Sequence, residues 1–333
     1  MAAIEPARRA HRRGFVFWLG RAALALVLLL IAMLGAGAVY QQVGSSEDAR
    51  RYPPPGELVD VGGHSLHLNC TGAGSPTVIL DHLGDGNSAE WALVQPELAT
   101  TNRVCAYDRA GFAWSEPGPL PRTGGRSADE LRAALENAGI GGPYVLVGHS
   151  YGADVMVLFA DRNAGLAAGL VLVDPGIYDS PELPAELSTN QDDSFMRIAA
   201  ALAPVGLMRL SDSLGVDGVT TGDLSAEQAA VYRAMRQKNG FWDLLLDVSA
   251  GMPETSAELR AVTSLGDLPI IVLNADQPDD SYRRAWTEFN RRSASLSTRG
   301  EFRMVPGANH ASIVNSKEYA EQVVQAVRDV MAR

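Results

Sequence analysis

The chain has 333 residues, 46% of them hydrophobic, enough to bury a full α/β core and still carry an insertion. A formal net charge of -11 argues against a nucleic-acid partner, because such binding needs concentrated Lys and Arg to displace counterions. The two cysteines, Cys70 and Cys105, are too few for a disulfide-scaffolded fold and lack the paired spacing of a zinc site. Taken alone, they read as buried thiols, and no metal site is expected.

The charge is unevenly spread. Before Arg51, six arginines face Glu5, Glu47 and Asp48, which leaves about +3 there and about -14 in the remainder. Residues 22–39, AALALVLLLIAMLGAGAV, carry no charge and are close to the ~20 apolar residues that cross a bilayer. Arg8, Arg9, Arg12, Arg13 and Arg21 precede this run, so the positive-inside rule predicts a cytoplasmic basic segment and spanning helix over residues 1–40. Everything after Tyr40 is then extracytoplasmic, with the membrane as a partner through that helix. Ala36-Gly37-Ala38 also has the small residues of a signal-peptidase site, so secretion after cleavage near Ala38 is the alternative. Residues 41–55, with Gly44-Ser45-Ser46 and Pro53-Pro54-Pro55, read as a linker to a folded domain over 56–333.

Short apolar or alternating runs predict strands at 57–61, 65–69, 76–81, 103–108, 144–148, 169–174, 269–274 and 301–305. Amphipathic runs at 127–138, 151–162 and 316–331 predict helices between or after them. This alternation implies an α/β fold with a mostly parallel sheet covered on both faces. The first two strands are joined only by Gly62-Gly63 and so form an edge hairpin. From about 177 to 266 the strand rhythm stops, and helical patterns at 196–210, 226–239 and 241–248 suggest an inserted lid. Its apolar residues Phe195, Met196, Leu207, Met208, Phe241, Trp242 and Leu245 either line an acyl pocket or form the lid's own core.

Gly148-His149-Ser150-Tyr151-Gly152 follows the apolar run Tyr144-Val145-Leu146-Val147 and precedes a helical pattern, the setting of a nucleophile elbow. Gly148 and Gly152 suit a turn whose backbones pass too closely for side chains. A serine hydroxyl is a weak nucleophile, so it needs an imidazole base, a carboxylate to orient that base, and donors for the oxyanion.

Three runs carry a family resemblance: Arg103 to Gly111 followed by Trp114-Ser115, the elbow itself, and Val305-Pro306-Gly307-Ala308-Asn309-His310. From about Leu58 to the C-terminus the chain resembles the α/β-hydrolases, whose fold is an eight-stranded, mostly parallel sheet. The resemblance implies Ser150 as nucleophile and His310 as base. For the acid it leaves Asp174, at the end of the sixth strand, ahead of Asp279 and Asp276 after the seventh. In many relatives that later acid stands three residues beyond a Gly; here Ala275 and Pro278 occupy those two places. Oxyanion donors are expected on the N–H of Tyr151 and, in the loop after the third strand, of Gly84; Leu83 stands where relatives carry Gly. His149 reads as a packing or elbow residue, His64 and His67 as surface or strand residues, and His82 facing the pocket is an alternative reading of that loop.

The family's sheet order also places Cys70 beside Cys105, so an exported domain would allow a disulfide between them. The implied reaction is hydrolysis of an ester or related acyl bond of a small, apolar substrate, with no cofactor. A dehalogenase or epoxide hydrolase would need a carboxylate at Ser150. Amidase or peptidase action and a membrane-tethered ligand sensor with little turnover are the alternatives.

Overall fold

The computed structural model describes residues 5–176, 193–216, 218–276 and 280–333. Eight strands form one sheet: β1 (Glu57–Asp60), β2 (Ser65–Thr71), β3 (Thr77–Asp81), β4 (Val104–Asp108), β5 (Tyr144–His149), β6 (Ala167–Val173), β7 (Ile270–Ala275) and β8 (Gly300–Val305). Their spatial order is β1-β2-β4-β3-β5-β6-β7-β8. Only β2 runs against its neighbours, pairing antiparallel with both β1 and β4, and the other pairs are parallel.

Every residue of β5 is buried. Alternate side chains of this strand enter opposite layers, as the two-residue strand period requires. Tyr144 and Leu146 join Leu131, Val155 and Phe159 on one face. Val145 and Val147 join Trp91, Leu98, Val323 and Val327 on the other. The helices Gly124–Asn137 and Tyr151–Arg162 thus cover one face, while Lys317–Met331 covers the second. The sheet's centre is dry on both sides, and the ends of its strands become the places where polar groups can emerge.

Cys70 and Cys105 are register partners on β2 and β4, joined by a disulfide with their Cα atoms 4.0 Å apart. Between β6 and β7 lie Ser194–Leu202, Leu207–Ser213, Ala226–Arg236 and Phe241–Ala261, so the last lid helix is far longer than its predicted core at 241–248. A further helix, Asp280–Ser295, bridges β7 and β8.

The N-terminal helix runs from Glu5 to Arg51 without a break. Its window beginning at Phe17 has a mean hydropathy of 2.6 and no burial, so it is long and apolar enough to cross a membrane. The expectation of a linker from residue 41 is corrected here for 41–51. Gly44-Ser45-Ser46 does not end the helix, because the lid supplies partners to this turn: Gln41 is 3% exposed and donates to the Gln237 carbonyl at 2.8 Å. Irregular chain begins only past Arg51, before the three prolines.

Candidate active site

The carboxyl ends of parallel strands are where an α/β sheet presents ligand-binding loops. Here Ser150 directly follows β5, Asp174 directly follows β6, and the loop after β8 carries His310. Ser150 has φ 54° and ψ -121°, a conformation that non-glycine residues rarely hold, and its N–H donates to the Val173 carbonyl at 3.0 Å. The glycines on either side make the turn possible. A Cβ at Gly148 would stand 2.3 Å from the Gly152 carbonyl oxygen, and one at Gly152 would stand 2.6 Å from the carbonyl oxygens of Asp81 and His82.

His310 Nδ1 lies 2.6 Å from Asp174 Oδ2. Asp174 is fully buried at φ 44°, and its other oxygen accepts from Ala275 N–H at 2.9 Å and from Trp286 Nε1 at 2.7 Å. A buried carboxylate oxygen needs such donors in place of water. Of the alternative acids, Asp276 instead accepts from the Gly307 N–H, while its own N–H donates to Ala308. Asp279 lies outside the described residues.

Ser150 and His310 open on one cavity of about 600 Å³. Tyr151 and Gly84 also line it, and a Cβ built on Gly84 would touch the Cβ of Tyr151 at 3.6 Å. The two residues expected to supply oxyanion donors are therefore neighbours, despite Leu83. That loop is held from below by Arg109. Its guanidinium donates to Asp81 Oδ1, to the His82 carbonyl at 2.6 Å and to the Leu83 carbonyl at 2.7 Å. Leu83 N–H in turn donates to Glu90 Oε1 at 3.1 Å.

Sequence reasoning missed Glu90. It is 2% exposed, lines the cavity, and lies 3.2 Å from His149 Nδ1; burial pushes its carboxyl well above the ordinary range. Burial and the neighbouring His310 push His149 down to about 3, so its ring is neutral. His149 Nε2 then donates to the His310 carbonyl at 2.9 Å, leaving Nδ1 as acceptor for a protonated Glu90. The residue beside Ser150 thus braces the backbone of the His310 loop. In the cavity wall, burial pushes the Asp85 carboxyl up, but the charge and hydrogen bond of Arg236, 2.8 Å away, together with a backbone hydrogen bond, hold it below its usual range.

Three histidine expectations change. His67 is fully buried, with Nδ1 2.7 Å from Asp108 Oδ2, and His64 is nearly buried beside Glu130. His82 does not line the cavity; it is buried against Arg109 and the Phe112 ring. Of the lid's apolar residues, Phe195, Met196, Trp242 and Leu245 line the cavity, Phe241 packs in a small core with Phe112 and Leu244, and Leu207 faces outward.

Residues 66–326 match the model of the alpha/beta hydrolase family, and the chain belongs to that family. An uncharacterized protein of Schizosaccharomyces pombe is 27% identical over 221 residues, 65% of this chain and 39% of the relative; the chain thus spans about two fifths of that relative's length. Among solved structures, an esterase from Thermogutta terrifontis superposes with a TM-score of 0.61 at 23% identity, covering 83% of this chain and 97% of its own. The epoxide hydrolase CorEH superposes at 0.63 with 20% identity, covering 83% and 98%. These two neighbours are described by different reactions, so their likeness carries the fold alone.

Proposed function

We propose that the chain is a serine hydrolase that cleaves carboxylic esters through an acyl-enzyme, with Ser150 as nucleophile, His310 as base and Asp174 as the orienting acid. The observation that carries this reading is the buried Asp174 holding His310 Nδ1 at 2.6 Å in the cavity that Ser150 also lines. Nδ1–H donation to Asp174 leaves Nε2 unprotonated, the tautomer that can take the Ser150 hydroxyl proton. The Ser150 oxygen then adds to the carbonyl carbon, and the oxyanion is held by N–H groups of Tyr151 and Gly84. His310 passes its proton to the leaving alcohol, and water repeats the sequence on the acyl-enzyme. The epoxide hydrolase alternative is disfavoured because a serine stands where that chemistry places a carboxylate.

The same proposal keeps residues 1–40 as a cytoplasmic leader and retained anchor, with the hydrolase domain beyond the membrane. The Cys70–Cys105 disulfide supports an oxidising compartment. Retention is supported by Gly37, which packs against Val205 of the lid, a contact that cleavage near Ala38 would sever. Purified full-length protein should hydrolyse p-nitrophenyl butyrate, with kcat reduced about 10⁴-fold or more in Ser150→Ala. Equal rates in both proteins would overturn the assignment.

A further inference from the structure

The junction between the N-terminal helix and the lid fixes how the cavity sits relative to the bilayer. From Phe17 to Leu34 the large apolar side chains of the helix are exposed, and a Cβ added at Gly20 or Gly35 would meet no atom within 4 Å. Contact begins at Gly37, where an added Cβ would stand 2.2 Å from the Val205 carbonyl oxygen. From there the helix is tied to the lid turn by turn. Arg209 donates to Gln41 at 3.1 Å and to Asp48 at 2.7 Å, and Gln41 reaches Asn239 at 3.0 Å. The apolar run ends at Val39, just before the polar pair Gln41-Gln42 and about 3 Å along the axis from Gly37, so Val205 lies at the level where the span leaves the hydrocarbon.

Val205 is also the hinge between the helices Ser194–Leu202 and Leu207–Ser213. These helices and the turn after them expose Phe195, Ile198, Leu207, Leu210, Leu214 and Val216. Elsewhere in the described domain, the exposed large apolar side chains are Leu58 and Leu120 alone. An apolar face this concentrated marks an interaction surface. Leu207 is two residues from the hinge and therefore within ~8 Å of it, comparable with the 5–10 Å depth to which apolar faces enter the headgroup boundary.

We propose that this lid face lies on the bilayer that the N-terminal helix spans, so that the cavity draws an ester with an apolar tail directly from the membrane. Phe195 joins the two surfaces, being 62% exposed and also part of the cavity wall. On the far rim, Val216 is 71% exposed, and Gly218 and Val219 line the cavity. A tail leaving the lipid at Phe195 thus meets the cavity that Ser150 also lines. The substrate half of the proposal rests on the ester-hydrolase reading; the contact half does not.

The test uses the full chain in phosphatidylcholine vesicles. A single environment-sensitive fluorophore is attached through Ile198→Cys, Leu214→Cys or, as an exposed control on the C-terminal helix, Glu321→Cys. Phospholipid nitroxides should quench positions 198 and 214 at least about twofold and leave 321 unaffected. Equal quenching at all three positions, or shielding of 198 and 214 by a second copy of the chain seen as a cross-linked dimer, overturns the contact.

In parallel, an Ile198→Glu, Leu214→Glu double variant should lose about fivefold in kcat/KM on a long-chain oleoyl ester embedded in the vesicles. Its rate on soluble p-nitrophenyl butyrate should match wild type, which also shows that it folds. Unchanged vesicle activity overturns the membrane route. A wild type inert towards both esters removes the hydrolase reading and the substrate half with it, while quenching still decides the contact.

Discussion

The sheet ends and the lid are built on opposite principles. Around Ser150 and Asp174 nearly everything is buried and the carboxylate has dedicated partners: Asp174 alone receives Ala275, Trp286 and His310. In Ser194–Leu202 only Ala199 is buried, and in Leu207–Ser213 no residue is. Chemistry demands geometry held to fractions of an ångström, whereas recognition of an apolar tail needs area and tolerates rearrangement. Substitutions at the sheet ends should therefore change the rate of the chemical step, and substitutions in the lid should change which substrate is accepted.

The sharpest contrast is expected at the acid. Asp174→Asn keeps an oxygen for Ala275 and Trp286 but no longer orients His310, so kcat on p-nitrophenyl butyrate should fall about 10³- to 10⁴-fold. Asp276→Asn, at the first residue past β7, should stay within about threefold of wild type. The reverse order would move the acid to the later loop. In the lid, Trp242→Ala should raise KM for octanoate esters about tenfold with little change in kcat or in acetate hydrolysis. A uniform loss of kcat on both esters would show that the lid shapes the catalytic step itself.

The smallest effect concerns His149. Its folded-state value of about 3 lies below the unfolded 6.5, so the stability tied to its neutral form is complete above pH 6.5 and is lost as pH falls from 6.5 towards 3. The slope is at most about 1.4 kcal/mol per pH unit. His149→Gln removes this group, and its melting temperature should fall less steeply between pH 6.5 and 5 than that of wild type. Equal slopes would mean that His149 is charged in the folded protein.

Much of the sheet was legible because buried parallel strands are short apolar runs between turn residues, as in Tyr144 to Val147. The elbow was legible because its glycines answer a steric demand local to five residues. What was not legible depends on distant partners. Only the family resemblance set Asp174 ahead of Asp276 in the sequence; the contact of Asp174 with His310 depends on a placement, shared with Trp286, that no local pattern carries. His67 read as a surface or strand residue; it is a strand residue, but its burial against Asp108 was not legible because that partner stands 41 positions away. The helix through Gly44-Ser45-Ser46 looked like a linker for the same reason, since Arg209 and Gln237, which satisfy it, belong to the lid. Glu90 carried no motif at all, and its role exists only through His149.

The central claim is that Ser150 is a nucleophile activated by His310. Incubation with a fluorophosphonate followed by digestion and mass analysis tests it most directly. The account predicts one phosphonyl group on the peptide containing Ser150, formed about 10³-fold or more slowly in His310→Ala. Modification at another residue, or labelling of Ser150 at the same rate without His310, would contradict it.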